Sequence, residues 1–273
     1  MKSNIKVIEK RDKNKGKNLA VLVGVHGNEI GGVKAADFLL PNLKIDSGKV
    51  TFIYANLKAI KQNKRFVEQN LNRCFLKQQS FEVKQSLEGK TAKKIIPYLD
   101  KSDVVLDIHS SLTEESVPFI ICDKSKIKEA NMFRVNKIVY NIDLFHPGST
   151  DYYMNLQNKT GFCIECGYAK NPKTQNVAEE AIINFLIYYG CIKGKISPRS
   201  IGHEVIKIVG LYKNKYGPFK SKSYFRDFYK MKNKTLIGFD GDKEVYVDKK
   251  KVVLFVRDRN KINEECFLIG EKI

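Results

Sequence analysis

Three apolar runs in this chain each end on a side chain that can bind a metal or carry a proton. Leu19-Ala20-Val21-Leu22-Val23-Gly24-Val25 stops at His26, and Glu29 follows three residues later. Val104-Val105-Leu106-Asp107-Ile108 stops at His109, and Phe162-Cys163-Ile164 stops at Glu165. Such runs read as core strands, and open α/β sheets hold their ligands at the carboxyl ends of strands. Two imidazoles and a carboxylate form a common hydrolytic zinc set, with a further Glu available as general base. The pattern points to a metal-dependent hydrolase.

The surrounding periodicity agrees with such a sheet. Strands are expected at 19–25, 50–55, 104–109, 118–122 and 161–166, and helices at 29–40, 81–96, 125–139 and 176–189. In the last helix Val177, Ala178, Ala181, Ile182, Phe185 and Leu186 recur at helical spacing, and Asn176 with Glu179 forms a candidate capping box. The alternation predicts an α/β fold, a mostly parallel or mixed sheet flanked by helices. After Gly190 the pattern changes. Gly194, Pro198, Gly202 and Gly210 punctuate short apolar stretches, and Gly241-Asp242 and Asp248-Lys249-Lys250-Lys251 read as hairpin turns. We expect a catalytic α/β domain over 1–193 and a small all-β domain over 194–273.

Bulk properties narrow the function classes. The formal net charge is +19, but it comes chiefly from lysines spread along the chain, with few arginines. Nucleic-acid sites lean on Arg and on aromatic platforms, so the charge reads as a solvated surface, and Lys10-Arg11-Asp12-Lys13 as a solvated tail. The Lys-rich start has no apolar core of a secretory signal, and no run reaches the roughly 18 apolar residues of a membrane helix. The expected compartment is the cytoplasm, with no membrane partner; a homo-oligomer is left open. The six cysteines read as small buried hydrophobes, because Cys163 and Cys166 lie in a strand pattern rather than at a helix start.

Local context strengthens the candidate residues. His26 is surrounded by Gly24, Gly27, Gly31 and Gly32, so its turn is tight and the backbone can approach a ligand. His26 and Glu29, three apart at a helix opening, can face one ion. Asp107 shares a strand face with His109 and can contact its imidazole. The polar stretch from Asn56 to Phe75 is long enough to be functional. It holds Arg65 and Arg73, and Arg grips carboxylates with a fork that Lys lacks.

These motifs resemble a known family. His26-Gly27-Asn28-Glu29 is similar to the H-G-x-E zinc motif of the succinylglutamate desuccinylase/aspartoacylase family, in the zinc-carboxypeptidase clan. Arg65 to Phe75, Asp107-Ile108-His109-Ser110 and Ile164-Glu165-Cys166-Gly167 resemble three further motifs of that family in the same order. The resemblance implies a Zn2+ held by His26, Glu29 and His109, with Glu165 as catalytic acid–base and Arg65 as oxyanion stabiliser. It implies Asn72 and Arg73 as binders of an amino-acid carboxylate. The implied substrate is a small N-acyl amino acid, and the implied reaction is hydrolysis of its amide. The chain departs from the family at Asn70, where an Asp is usual. It departs again at Asn155, where a second carboxylate is usually read by Arg, and at Phe267, where a Tyr is usual. A zinc carboxypeptidase acting on short peptides, or a basic nucleic-acid-binding protein with a degenerate metal site, are the alternative readings. His146 and His203 carry no expected task.

Overall fold

The computed structural model describes residues 3–196 and 202–273. The first stretch contains β1 (Lys6–Arg11), β2 (Asn18–Val23), α1 (Gly31–Leu39), β3 (Lys49–Tyr54) and α2 (Leu57–Gln62). It continues with α3 (Phe81–Gln85), α4 (Leu87–Asp100), β4 (Val104–Ser111), β5 (Phe119–Cys122) and β6 (Lys137–Tyr140). It closes with α5 (Thr150–Asn155), β7 (Thr160–Tyr168) and α6 (Lys173–Tyr188). The second stretch is all strand: β8 (Glu204–Lys213), β9 (Phe219–Ser221), β10 (Tyr229–Lys230), β11 (Thr235–Asp240), β12 (Lys243–Val247), β13 (Lys251–Leu254) and β14 (Glu265–Lys272).

Eleven strands form one mixed sheet in the order β1-β3-β2-β4-β7-β5-β6-β8-β14-β13-β10, and β12-β11-β9 form a small antiparallel sheet. At the centre, β3, β2, β4 and β7 run parallel. Their apolar runs are unbroken because both faces are covered. Alternate residues divide between the two layers: Val21, Val23, Leu106 and Ile108 pack against Ala35, Ala36, Ala178 and Phe185 of α1 and α6. Ala20, Leu22 and Val105 meet Ala92, Ile95 and Leu99 of α4 and Met154 of α5. With parallel strands in register, the carboxyl ends of β2, β4 and β7 open on one rim.

Several expectations are corrected. The helix expected over 125–139 is instead two short 3-10 turns, Lys124–Lys126 and Glu129–Met132, followed by β6. The β-branched Ile138 and Val139 are buried between β5 and β8, where sheet packing overrides the apparent helical spacing. The expected capping box at Asn176 does not form, because α6 begins at Lys173: Asn171 Oδ1 accepts from the Lys173 amide, and Pro172 has φ −60°, a helical value. The segment 10–11, read as a tail, lies in β1, a Lys-rich edge strand antiparallel to β3. The helix expected over 81–96 is two helices broken at Ser86, whose Oγ caps α4. Pro198 of the expected boundary lies outside the described residues.

Candidate active site

His26 sits in the turn after β2. Gly24 leaves the strand at φ +67°, a left-handed backbone that Gly adopts without cost, and so ends β2 before Val25. A Cβ on Gly27 would lie 2.0 Å from the Ala59 carbonyl carbon, so the turn is pressed against the start of α2. The Gly27 amide donates to the Arg65 carbonyl, tying this turn to the 63–75 segment. Glu29 lies just before α1, and His109 projects from β4.

These three side chains converge. His26 Nδ1 lies 2.8 Å from Glu29 Oε1, His109 Nδ1 lies 3.0 Å from Glu29 Oε2, and the two Nδ1 atoms are 3.1 Å apart. All three residues are almost wholly buried. Two ligands about 2.0–2.1 Å from a tetrahedral centre stand roughly 3.3 Å apart, so the spacing suits a small divalent cation. Among the described residues this is the one His, Cys, Asp and Glu group compact enough to hold a metal.

The electrostatics carry the same message. Burial, then the Arg65 charge, lowers His26 to about 4, leaving its imidazole neutral at neutral pH. Burial also opposes charge on His109, but the Asp107 and Glu29 carboxylates outweigh it and raise its pKa well above the usual value. Burial works against the Glu29 carboxylate too, yet the two imidazoles hold its pKa far down. The cluster thus demands one positive charge at its centre. A divalent cation held by all three groups would supply that charge.

Further contacts hold these three side chains in place. Asp107 Oδ2 lies 3.2 Å from His109 Nε2 and accepts from the Thr150 hydroxyl. Asn70 Oδ1 meets His26 Nε2 at 3.0 Å. Asn70 thus touches the His26 imidazole without adding a charge. Glu29 Oε2 also accepts from the Ser110 amide.

Glu165 reaches the site from β7, directly beside His109 on β4. Burial, then repulsion from Glu29, pushes its pKa up to about 8, and its Oε2 is buried without a hydrogen-bond partner. Arg65 Nη1 donates to Glu29 Oε1 at 2.8 Å. A cavity of about 480 Å³ joins all the expected residues: His26, Glu29, Arg65, Asn72, Arg73, His109 and Glu165 line it.

The stretch expected to be irregular from Asn56 to Phe75 is partly helical. Asn56 caps α2, and a 3-10 turn spans Leu71–Arg73. What steadies its middle is Glu88 of α4, which is fully buried. It accepts from the amides of Val67, Glu68 and Gln69 and from Asn56 Nδ2. Nothing local in the sequence marks that carboxylate; it reads as one more charged position on a helix.

The cavity also contains residues without an expected role. Lys213, Arg257, Arg259, Glu264, Glu265 and Phe267 enter from the all-β stretch, and His146 from the loop before α5. His146 is therefore no bystander: its Nε2 lies 3.1 Å from Glu265 Oε2, which in turn lies 3.2 Å from Arg73 Nη2. Asn155 is turned away, donating to Asp143 and accepting from the Gly161 amide. All six cysteines are free and buried. No helix among the described residues is long and apolar enough to cross a membrane.

Comparison with known proteins follows the same lines. Residues 15–189 match the succinylglutamate desuccinylase/aspartoacylase catalytic domain. A probable aspartoacylase from a Nostoc species is 30% identical over 169 residues, which cover 56% of each chain. An N-alpha-acetyl-L-2,4-diaminobutyric acid deacetylase from Halomonas elongata is 26% identical over 63% of this chain and 55% of its own. The alignments thus span about half the length of these relatives. The solved structure of a succinylglutamate desuccinylase from Vibrio cholerae superposes with a TM-score of 0.82 at 17% identity, over 97% of this chain and 85% of that one. At that identity the likeness is one of fold.

Proposed function

The chain belongs to the succinylglutamate desuccinylase/aspartoacylase family, and from that premise we propose that it is a zinc-dependent amidohydrolase that releases the acyl group of an N-acyl amino acid. The observation that carries this reading is the convergence of His26, Glu29 and His109 with Glu165 beside them on the next strand.

His26, Glu29 and His109 would hold Zn2+, two imidazoles and a carboxylate leaving room for a further ligand. When bound, zinc acts as a Lewis acid, bringing the pKa of water down to about 7 and polarising a carbonyl. Positive charge at that point favours the ionised form of Glu165, which the isolated cluster disfavours.

The chain's own residues account for the remaining work. Glu165 takes a proton from the attacking water and returns it to the departing amine. Its unpartnered, buried oxygen is free for both transfers. Arg65, fixed through Nη1 to Glu29, presents the rest of its guanidinium to the oxyanion that forms as the carbonyl is attacked. Asn72 and Arg73 receive the carboxylate of the amino acid, with Arg73 exchanging its internal partner Glu265 for the substrate. The half-exposed Arg73–Glu265 pair is the kind that opens readily. The stretch 194–273, proposed as a separate β domain, supplies the opposite wall through Arg257, Glu265 and Phe267.

The test is metal content and turnover together. Purified protein supplied with zinc should hydrolyse members of a panel of N-acyl amino acids, and chelation should abolish the activity. Faster cleavage of dipeptides than of every N-acyl amino acid would instead indicate a carboxypeptidase.

A further inference from the structure

The cavity wall that comes from the all-β stretch is pinned to the strands opposite it by a buried carboxylate. Asp227 lies in the loop between β9 and β10 and is 6% exposed. Its Oδ1 accepts from the Phe255 amide at 2.7 Å. Its Oδ2 accepts from Ser116 Oγ at 2.7 Å and from Ser111 Oγ at 2.9 Å. Phe255 opens the turn after β13 that carries Arg257, and both side chains line the cavity. Asp227 stands behind them and does not line it. Its three hydrogen bonds therefore serve the wall and not the cavity contents.

On the far side the clasp reaches both strands that carry His109 and Glu165. Ser111 is the last residue of β4, two beyond His109. Ser116, in the loop that follows, lies over the end of β7. A Cβ on Gly167, two residues beyond Glu165, would stand 3.0 Å from the Ser116 carbonyl oxygen. The pairing of β4 with β7 slips at this place, from His109–Glu165 to Ser111–Tyr168, and Gly167 lies within the slip at φ +93°. The 111–116 loop is braced internally: Ser111 Oγ also accepts from the Thr113 amide, and the Ser116 amide donates to the Thr113 carbonyl. A parallel link runs from the Tyr224 hydroxyl to the Glu114 carbonyl. Phe228, beside Asp227, and Phe255 hold left-handed conformations at φ +64° and +57°. Bulky residues keep such a backbone only where their surroundings over-determine it.

We propose that Asp227 is a positioning residue: its carboxylate fixes the wall bearing Phe255 and Arg257 relative to His109 and Glu165, and so sets the width of the cleft that receives substrate. The inference rests on the amidohydrolase reading for what fills the cleft. What the clasp requires is the hydrogen-bond pattern, not the charge. A carboxamide at this position still accepts from the Phe255 amide through its oxygen, while its NH2 donates to the two serine hydroxyls, which accept as well as donate. An alanine leaves the Phe255 amide without its acceptor and releases both serines. A wall held in this way contributes to binding and takes no part in proton transfer, so its loosening raises KM and spares kcat.

The experiment has a kinetic arm and a structural arm, both on the zinc-supplied whole chain. In the first, KM and kcat are measured on the N-acetyl amino acid that the parent cleaves fastest. Asp227→Ala should raise KM by about 10-fold and leave kcat within about 3-fold. Asp227→Asn should restore most of the parent KM. The double variant Ser111→Ala/Ser116→Ala cuts the clasp from the other side and serves also if Asp227→Ala fails to fold. It should raise KM as well, and adding Asp227→Ala to it should cost much less than in the parent, as for groups that act as one unit. In the second arm, hydrogen exchange of the Phe255 and Arg257 amides is followed without substrate. It should quicken by about 10-fold or more in Asp227→Ala and stay near the parent rate in Asp227→Asn. Parent-like KM or exchange in a folded Asp227→Ala overturns the proposal. An Asn variant as impaired as the Ala variant does the same, since charge and not the clasp would then be at work. A parent that hydrolyses no N-acyl amino acid refutes the amidohydrolase reading instead, and the exchange arm still decides whether Asp227 holds the wall.

Discussion

His109 and Glu165 are register partners on adjacent parallel strands, β4 and β7. Their side chains stand together at the rim because the sheet aligns them, with no loop required to bring Glu165 to His109. A side chain mounted this way is held by backbone hydrogen bonds on both sides, as a preorganised site requires. Glu165→Gln keeps the shape and removes the proton carrier. The variant should bind zinc as the parent does and lose about 10²- to 10⁴-fold in kcat, the usual worth of general acid–base catalysis. Parent-like turnover in steady-state assays would remove Glu165 from the mechanism.

The buried cluster His26–Glu29–His109 should also respond to metal as a folding ligand. A cation that binds only the folded chain raises stability by RT ln(1 + [L]/Kd), about 2.7 kcal/mol at a concentration 100 times Kd. Zinc should therefore raise the thermal midpoint of the parent. In His26→Ala, which removes one of three converging donors, both the midpoint shift and the bound zinc measured by atomic absorption should largely vanish. An undiminished shift would place the cation elsewhere.

The parts of this site visible in the sequence are those whose direction follows from a strand end. His26, His109 and Glu165 follow apolar runs, so the rim position was readable, and Glu29 came with the turn. Arg257, Glu265 and His146 were not readable in this way. Arg257 lines the cavity from a turn in which Phe255 has a positive φ and donates its amide to Asp227, a contact across 28 residues. Glu265 meets Arg73 across 192 residues. Spacing suggested Asn155 as a reader of substrate, but its amide is used up by Asp143 and Gly161. The central fold was legible for the same reason as those strand-end residues, while β1 and β6 were not: a Lys-rich edge strand and a four-residue buried strand carry little periodic signal.

Glu88 offers a test of the second layer. Its carboxylate is the acceptor for three successive amides, Val67 to Gln69, that position the segment between Arg65 and Arg73. Glu88→Ala leaves those amides and Asn56 Nδ2 without their partner. The loss should be about 3–5 kcal/mol of stability in urea unfolding. Turnover should fall as well at temperatures where the variant is folded, since Arg65 loses its support. A change below about 1 kcal/mol would show that water replaces the carboxylate at no cost.

The Arg73–Glu265 pair predicts a kinetic signature. If a substrate carboxylate must displace Glu265 from Arg73, then Glu265→Gln removes a charged competitor. KM for N-acyl amino acids should fall by roughly 3- to 10-fold, with kcat altered far less, as expected when only ground-state binding changes. A raised KM would mean that Glu265 orients Arg73 instead of competing for it.

Asp143 predicts how stability depends on pH. Burial, then repulsion from Asp151, raises its pKa from 3.8 to about 8, and its Oδ1 is buried without a partner. In the unfolded chain the same carboxyl titrates near 4. Between those values the folded protein keeps a proton that the unfolded chain has released. Stability from this group is therefore complete below about pH 4 and is lost as pH rises towards 8, with a limiting slope of about 1.4 kcal/mol per pH unit. Asp143→Asn removes the titration and retains a polar group opposite Asn155, whose Nδ2 now donates to Asp143 Oδ2. Urea midpoints measured from pH 4 to 8 should fall more steeply for the parent than for the variant, with the variant gaining on the parent towards pH 8. Parallel curves would mean that Asp143 ionises in the folded protein as it does in water, and that neither its burial nor Asp151 governs its charge.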